Sequence, residues 1–257
     1  METIYYELTT LSSLIVSPRT SLAFYKDLDQ FSLKDVEGHS DCVKTEKLKV
    51  IYPFYQYGLY ESYSPDTAEY YLPGSSIKGA LCQGTANPGK LMVDDVPIPR
   101  KYGRSHIVLR NIQKAQYLEE PQKAFFDVFF DHVAVEMVKA DSTLEGSFNY
   151  DNIGAARELL KSANNAAKAK IGQMREYLSC LIKKEYPAQL KERLTKAADK
   201  LAKQLDDDQV LLLGGYKGLL HSMELKESPG EMAGAVYLDK ETNLPHGLIK
   251  IQLNERP

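Results

Sequence analysis

The chain has 257 residues, 43% apolar and 26% charged, an ordinary globular composition that fits one or two compact domains. Lys and Arg total 32 against 35 Asp and Glu, so the net charge of −3 excludes a uniformly basic nucleic-acid binder but leaves room for a basic face. Three cysteines (Cys42, Cys82 and Cys180) lie far apart with no CxxC pair, which argues against a zinc knuckle or disulfide framework and for a reducing, cytoplasmic compartment.

Residues 3–16, TIYYELTTLSSLIV, are rich in Ile, Tyr, Thr and Val and predict a first strand. Glu2 and Glu7 stand where a signal peptide would be basic, so none is expected, and no apolar run approaches the roughly 18 residues needed to span a membrane. Residues 17–47 are polar and without period, a long excursion of the kind that is functional or disordered. Residues 48–60 predict short strand pieces broken by Pro53 and Gly58. At 70–84 a short aromatic strand meets Pro73-Gly74 and then a helix-compatible stretch that Ser75 or Ser76 would cap. Residues 105–118 and 124–150 predict strands. Val133, Val135 and Met137 alternate there with His132, Ala134 and Glu136, as in a sheet with one buried face.

The period then changes. Ile153, Leu160, Ala163, Ala167, Ile171, Met174, Leu178 and Leu181 recur at helical steps, and Leu190, Leu194, Ala198, Leu201 and Leu205 continue them beyond Pro187. Asp206, Asp207 and Asp208 end the helical part. Residues 210–225 predict a strand, a Gly-rich loop and a short helix, and 233–253 two strands joined by a turn at Asn243–Gly247. Strands, a helical insert over 151–206 and strands again predict an α+β fold with a largely antiparallel sheet.

Two glycine clusters carry the chemistry. In Leu72–Leu81 a Gly74-Ser75-Ser76 turn opens a helix and points free amides at a phosphate; Lys78 adds a mobile charge and Gly79 admits a close chain. Ala80-Leu81 follows Gly79, so this is not a Walker loop. In the second cluster, Gly214, Gly215 and Gly218 let a backbone approach closely, Tyr216 can stack on a base and Lys217 can pair with phosphate. Arg100, Lys101, Arg104, Arg110 and Lys114 form a cationic tract without an acid. Residues 161–203 hold eleven cations against four acids, a plausible track for a phosphate backbone. Acids gather instead at Asp127, Asp131, Glu136, Asp141, Glu145 and Asp151, where a basic partner protein would fit.

Catalytic patterns are sparse. The five histidines show no HxH or HExxH spacing and there is no GxSxG elbow, so neither a metal site nor a serine nucleophile is expected. Asp27, Asp29 and Asp35 lie in the early loop with His39, where an ordinary polar loop explains them better than RNA cleavage does.

The segment YLPGSSIKGAL closely resembles the signature of the RAMP superfamily, the RNA-binding subunits of CRISPR effector complexes. Leu72 through Leu81 follow it almost position for position, with Cys82 where Arg is usual. VLLLGGYKGLLHS at 210–222 is similar to the superfamily's C-terminal Gly-rich loop. Pro245–Ile251 resembles its closing strand, with Leu248 in place of Trp, and His106–Gln113 its "VRD" strand, with Arg110-Asn111 in place of Arg-Asp. A single signature and a helical insert before the Gly-rich loop look most like the fifth Csm subunit of type III-A complexes.

The resemblance implies a ferredoxin-like (RRM-like) core in one or two copies. Residues 1–150 would carry the signature loop, 151–206 the helical insert, and 207–257 would complete a second RRM-like half. It implies a non-catalytic subunit without cofactor or metal that holds the 3′ part of the CRISPR RNA, caps the backbone filament and aids guide maturation in antiviral defence. Its partners would be CRISPR RNA, other Csm-type RAMP subunits and target RNA, with no membrane. The RNA-binding residues would be Gly74, Ser75, Ser76, Lys78, Gly79, Arg100, Lys101, Arg104, Arg110, Gly214, Gly215, Tyr216 and Lys217. The alternative is a RAMP endoribonuclease, or a backbone subunit cleaving target RNA with a loop Asp.

Overall fold

Alternating burial organises the first strand, and the rest of the main sheet is built on it. The computed structural model describes residues 1–16, 22–26, 28, 31, 36, 43, 45–100, 106–118, 123–129, 131–183, 188–214 and 235–254. In chain order, the strands before the first helix are β1 (Glu2–Thr10), β2 (Phe24–Tyr25), β3 (Val50–Tyr52) and β4 (Tyr71–Leu72), and that helix is α1 (Gly74–Leu81). Then come β5 (Met92–Val93), β6 (Val96–Pro97), β7 (Ile107–Arg110), β8 (Ile112–Leu118), β9 (Lys123–Phe129), β10 (Val133–Val138) and β11 (Thr143–Tyr150). Helices α2 (Ile153–Ile182) and α3 (Ala188–Gln204) follow, then β12 (Val210–Leu212), β13 (Ala235–Leu238) and β14 (Leu248–Asn254).

The main sheet has the order β12-β14-β1-β11-β5, antiparallel throughout. Ile4, Tyr6 and Leu8 of β1 are buried on one face, and Leu8 lies opposite Leu144 on one side and Ile251 on the other. A helix follows β1 and another follows β11, and these two strands are central and antiparallel. That is the ferredoxin-like β-α-β-β-α-β pattern, here with β12 added at the edge beyond β14. The fold is therefore α+β with an RRM-like core. Strands β12 and β14 belong to the same sheet as β1.

Helix α2 starts where Asn152 accepts a hydrogen bond from the Ala155 amide at 2.9 Å. Its buried apolar stripe is Ala156, Leu159, Ala163, Ala167, Ile171, Met174, Tyr177, Leu178 and Leu181; it departs from the expected one at its start, where Ala156 and Leu159 are buried and Ile153 and Leu160 only partly so, and at Tyr177. The first half of α2 packs with α1 on Tyr6, Leu8, Leu211 and Ile251. The second half packs with Leu194, Ala198 and Leu201 of α3 over Val210, Leu212 and Leu248. Alternate residues of β12 and β14 thus enter two cores, one on each face.

A second sheet has the order β2-β3-β10-β7, in which β3 and β10 run parallel; the other described strands form the three-stranded sheet β13-β8-β9 and the pair β4-β6. Strand β10 departs from the one-sided burial expected of it. Ala134 and Glu136 are as buried as Val135 and Met137, because β10 is central and covered on both faces. The stretch 105–118 is two strands. At Asn111, whose Nδ2 donates to the Val133 carbonyl at 2.6 Å, the chain leaves one sheet for another.

Candidate nucleic-acid interface

The signature segment does form a loop-to-helix junction, but not with the cap expected. The N-cap is Pro73, in extended backbone, and neither serine side chain caps the helix. The carboxylate of Asp95 fills that place instead, accepting the Gly74 amide at 2.7 Å. An acid from the next turn is thus already bound at the positive end of the helix. Gly74 itself is buried, and a Cβ there would lie 2.2 Å from the Val93 carbonyl oxygen. This glycine exists so that the chain at 93–94 can cross it.

Downstream of that contact the junction stays open. Ser75 is exposed and Ser76 half-buried, and their hydroxyls and the Ser75 amide have no partner among the described residues; the Ser76 amide donates to the Pro73 carbonyl at 2.9 Å. Lys78 is exposed and donates to the Leu91 carbonyl at 2.8 Å. Gly79 is exposed, with nothing within 4 Å of where its Cβ would stand. The buried Ile77 and Leu81 anchor this face to the main core.

The other predicted contacts fall elsewhere. Arg100 lies along the 64–68 turn, its Nη2 donating to the carbonyls of Pro65 at 2.6 Å and Ala68 at 3.2 Å. Arg110 was expected on the cationic path. It is 7% exposed and paired with Asp239 at 3.5 Å and Glu241 at 2.7 Å, so its charge is spent inside the protein. Gly214 has φ +84, and a Cβ there would lie 2.2 Å from the Ile15 carbonyl, so its glycine is a packing requirement. Lys101, Arg104, Gly215, Tyr216 and Lys217 lie outside the described residues, as do Asp27, Asp29, Asp35 and His39. The acidic group is dispersed: Asp131 pairs with Lys47 at 2.8 Å, and Glu136 is buried.

Three of the four segments quoted for the resemblance meet around Ser13. Its hydroxyl lies 3.4 Å from His246 Nδ1, its amide donates to Asp239 at 2.9 Å, and its carbonyl accepts the Gly247 amide at 3.0 Å. Gly214 packs on the neighbouring Ile15, and Arg110 reaches the same Asp239. Burial pushes the Asp239 carboxyl up, but His246 and the amides of Ser13 and Glu241 outweigh it and hold it below the usual range. Burial in turn pushes the His246 imidazole below its ordinary value, against the pull of Asp239. A cluster this enclosed is a structural anchor.

Sequence reasoning missed two features. Asp95 shows no periodicity or spacing that marks it as a cap, since it comes from outside the helix. The second is a cleft of about 520 Å³ between α2 and the β12–β14 edge, with Arg157 and Lys161 above Leu160, Leu211, Ile251 and Leu253. The spacing of the two cations, one helical turn apart, is the sequence signal that could have found it. Among the described residues no group of His, Cys, Asp and Glu could hold a metal ion, and no helix is long and apolar enough to cross a membrane.

No protein family matches the chain in sequence, and neither does any curated protein. Its fold is similar to that of a chain in a solved CRISPR complex. A chain in the cryo-EM structure of a Csm–crRNA–target RNA ternary complex of a type III-A CRISPR-Cas system aligns with a TM-score of 0.51 at 13% identity, over 97% of this chain and 100% of that one. A chain of a type IV-B CRISPR complex aligns over 99% of this chain and 91% of its own, at 11% identity and a TM-score of 0.35. The first alignment is a likeness of fold from end to end.

Proposed function

We propose that the protein is a non-catalytic subunit of a type III-A CRISPR effector complex, of the fifth Csm kind, that binds the 3′ part of the guide RNA at the end of the filament. The observation that carries this reading is the signature segment 72–81 forming a loop-to-helix junction that is exposed at Ser75, Lys78 and Gly79, within a fold shared end to end with a chain of a Csm–crRNA–target complex. The donors left for phosphate are the Ser75 amide and the Ser75 and Ser76 hydroxyls, with Lys78 beside them. Other Csm-type subunits and, in the assembled complex, target RNA are the partners this role requires, and its setting is the cytoplasm.

Filter binding of single-stranded guide RNA to the purified chain tests the assignment. The double change Ser75→Asp and Ser76→Asp places two carboxylates at the junction and is expected to weaken binding by about tenfold or more, roughly 1.4 kcal/mol. Lys196→Ala, on the far helix and already paired with Glu192, is expected to change little. Equal losses from the two would remove the junction from the interface. Labelled RNA incubated with the protein should stay intact; cleavage abolished by Asp27→Ala or Asp29→Ala would overturn the non-catalytic role.

A further inference from the structure

The loop between β3 and β4 presents a second surface of opposite character. No Lys or Arg occurs between Lys49 and Lys78, whereas Glu61, Asp66 and Glu69 do. Two large apolar side chains stand out from this loop, Tyr57 at 48% and Leu59 at 78% exposure. The Tyr57 ring stacks on Tyr71 with centroids 4.3 Å apart and planes 20° apart, and Tyr55 meets Tyr71 edge-on at 5.7 Å. The backbone beneath is fixed: Tyr57 donates to the Glu69 carbonyl at 2.9 Å and Tyr71 to the Tyr55 carbonyl at 3.0 Å. Beside the stack opens a cleft of about 400 Å³ lined by Tyr57, Leu59, Glu61 and Glu69. The carboxylates of Glu61 and Glu69 make no ion pair among the described residues.

We propose that this patch docks an arginine-bearing segment of a partner protein. A guanidinium lies flat on the open face of Tyr57, Glu61 and Glu69 take its charge, and Leu59 supplies the apolar contact. Charge selects the occupant. Glu61 and Glu69 line the cleft, while Arg100 beside it is held on the carbonyls of Pro65 and Ala68; the two carboxylates disfavour a phosphate chain, although the exposed ring could otherwise stack a base. Arginine is preferred over lysine because its planar, weakly hydrated group matches both the ring and the carboxylates. The inference goes beyond RNA binding and stands whether or not the chain holds RNA.

Calorimetric titration of the full chain with the synthetic peptide Gly-Arg-Gly-Arg-Gly-Arg, its lysine counterpart and oligouridylate RNA tests it. The arginine peptide is expected to bind about threefold or more tighter than the lysine one. Tyr57→Ala, and separately Glu61→Gln with Glu69→Gln, are expected to weaken it about tenfold, with Tyr57→Phe unchanged and RNA affinity untouched by all three. The isosteric Gln pair lies on the surface, so its result does not depend on a tolerated core change. Arginine-peptide affinity equal across the variants overturns the proposal. So does loss of RNA affinity in Tyr57→Ala, which makes the patch an RNA surface, or a dimer dissolved by that change in sedimentation, which makes the occupant a second copy of this chain.

Discussion

Glycines with the same sequence appearance play opposite parts at the residue scale. Gly74 and Gly214 are each pressed against a carbonyl oxygen, so Gly74→Ala is expected to lower thermal stability by about 2 kcal/mol or more, through steric displacement of the 93–94 chain. Gly79 faces open space within a helix, so Gly79→Ala should stabilise the protein by about 0.5–1 kcal/mol in the same melting experiment. If RNA lies against Gly79, the alanine variant will melt higher and bind RNA less well. Asp95 invites a related test. Asp95→Asn removes the negative charge at the head of α1, and should raise RNA affinity a few-fold while costing about 1 kcal/mol of stability. Glu136 carries a pH signature in the range that denaturation experiments reach. Burial raises its carboxyl to about 7, against hydrogen bonds from the Tyr70 hydroxyl at 2.7 Å and the Phe54 amide at 2.9 Å. Its folded value lies above the ordinary 4.5, so its contribution is full below about 4.5 and is lost as pH rises through about 7. Chemical denaturation across that window should show stability falling with pH in the wild type, and a flatter profile in Glu136→Gln.

At the scale of elements, the informative feature is how β12 ends the main sheet. Its outward carbonyls are not left open for another strand: Asn164 Nδ2 donates to Val210 at 2.9 Å and to Asp207 at 3.0 Å, and Gln83 Nε2 donates to Leu212 at 2.9 Å. Side chains from α2 and from just beyond α1 thereby seal the edge, as natural sheets must by one device or another. Asn164 is buried mid-helix, where pattern alone reads it as a polar interruption of an apolar stripe. Asn164→Ala leaves a buried carbonyl unpaired and is expected to cost about 1–3 kcal/mol, visible as a lower urea midpoint with an unchanged slope.

Across the whole molecule, the Arg110–Asp239 pair ties β7 of the second sheet to the turn after β13, and Asp239 ties that turn to Ser13 after β1. Arg110→Met leaves Asp239 buried without its cation and is expected to destabilise the fold by about 3–5 kcal/mol, measured by thermal or urea unfolding. RNA affinity of the still-folded fraction should be unchanged, which separates this structural cation from those of an RNA path. Asp239 also opposes Glu136 in pH dependence. Its carboxyl is held below the ordinary 3.8, so its contribution is present above that value and lost in stronger acid.

The amino-acid sequence by itself determined the α+β class, the helical pair, the strand-to-helix turn at 72–81 and the existence of the two closing strands. Each of these rests on local information: a hydrophobic period of two or 3.6, or a Pro-Gly turn. Only the tertiary structure decided which charges are free. Arg110 and Lys78 look alike in a string of letters, yet one meets two acids brought from 129 and 131 residues away while the other stays at the surface. It also decided that Asp95, rather than a serine, sits on the first amide of α1, and that β10 is covered on both faces. Burial and pairing arise when distant segments meet, and no local spacing encodes that meeting.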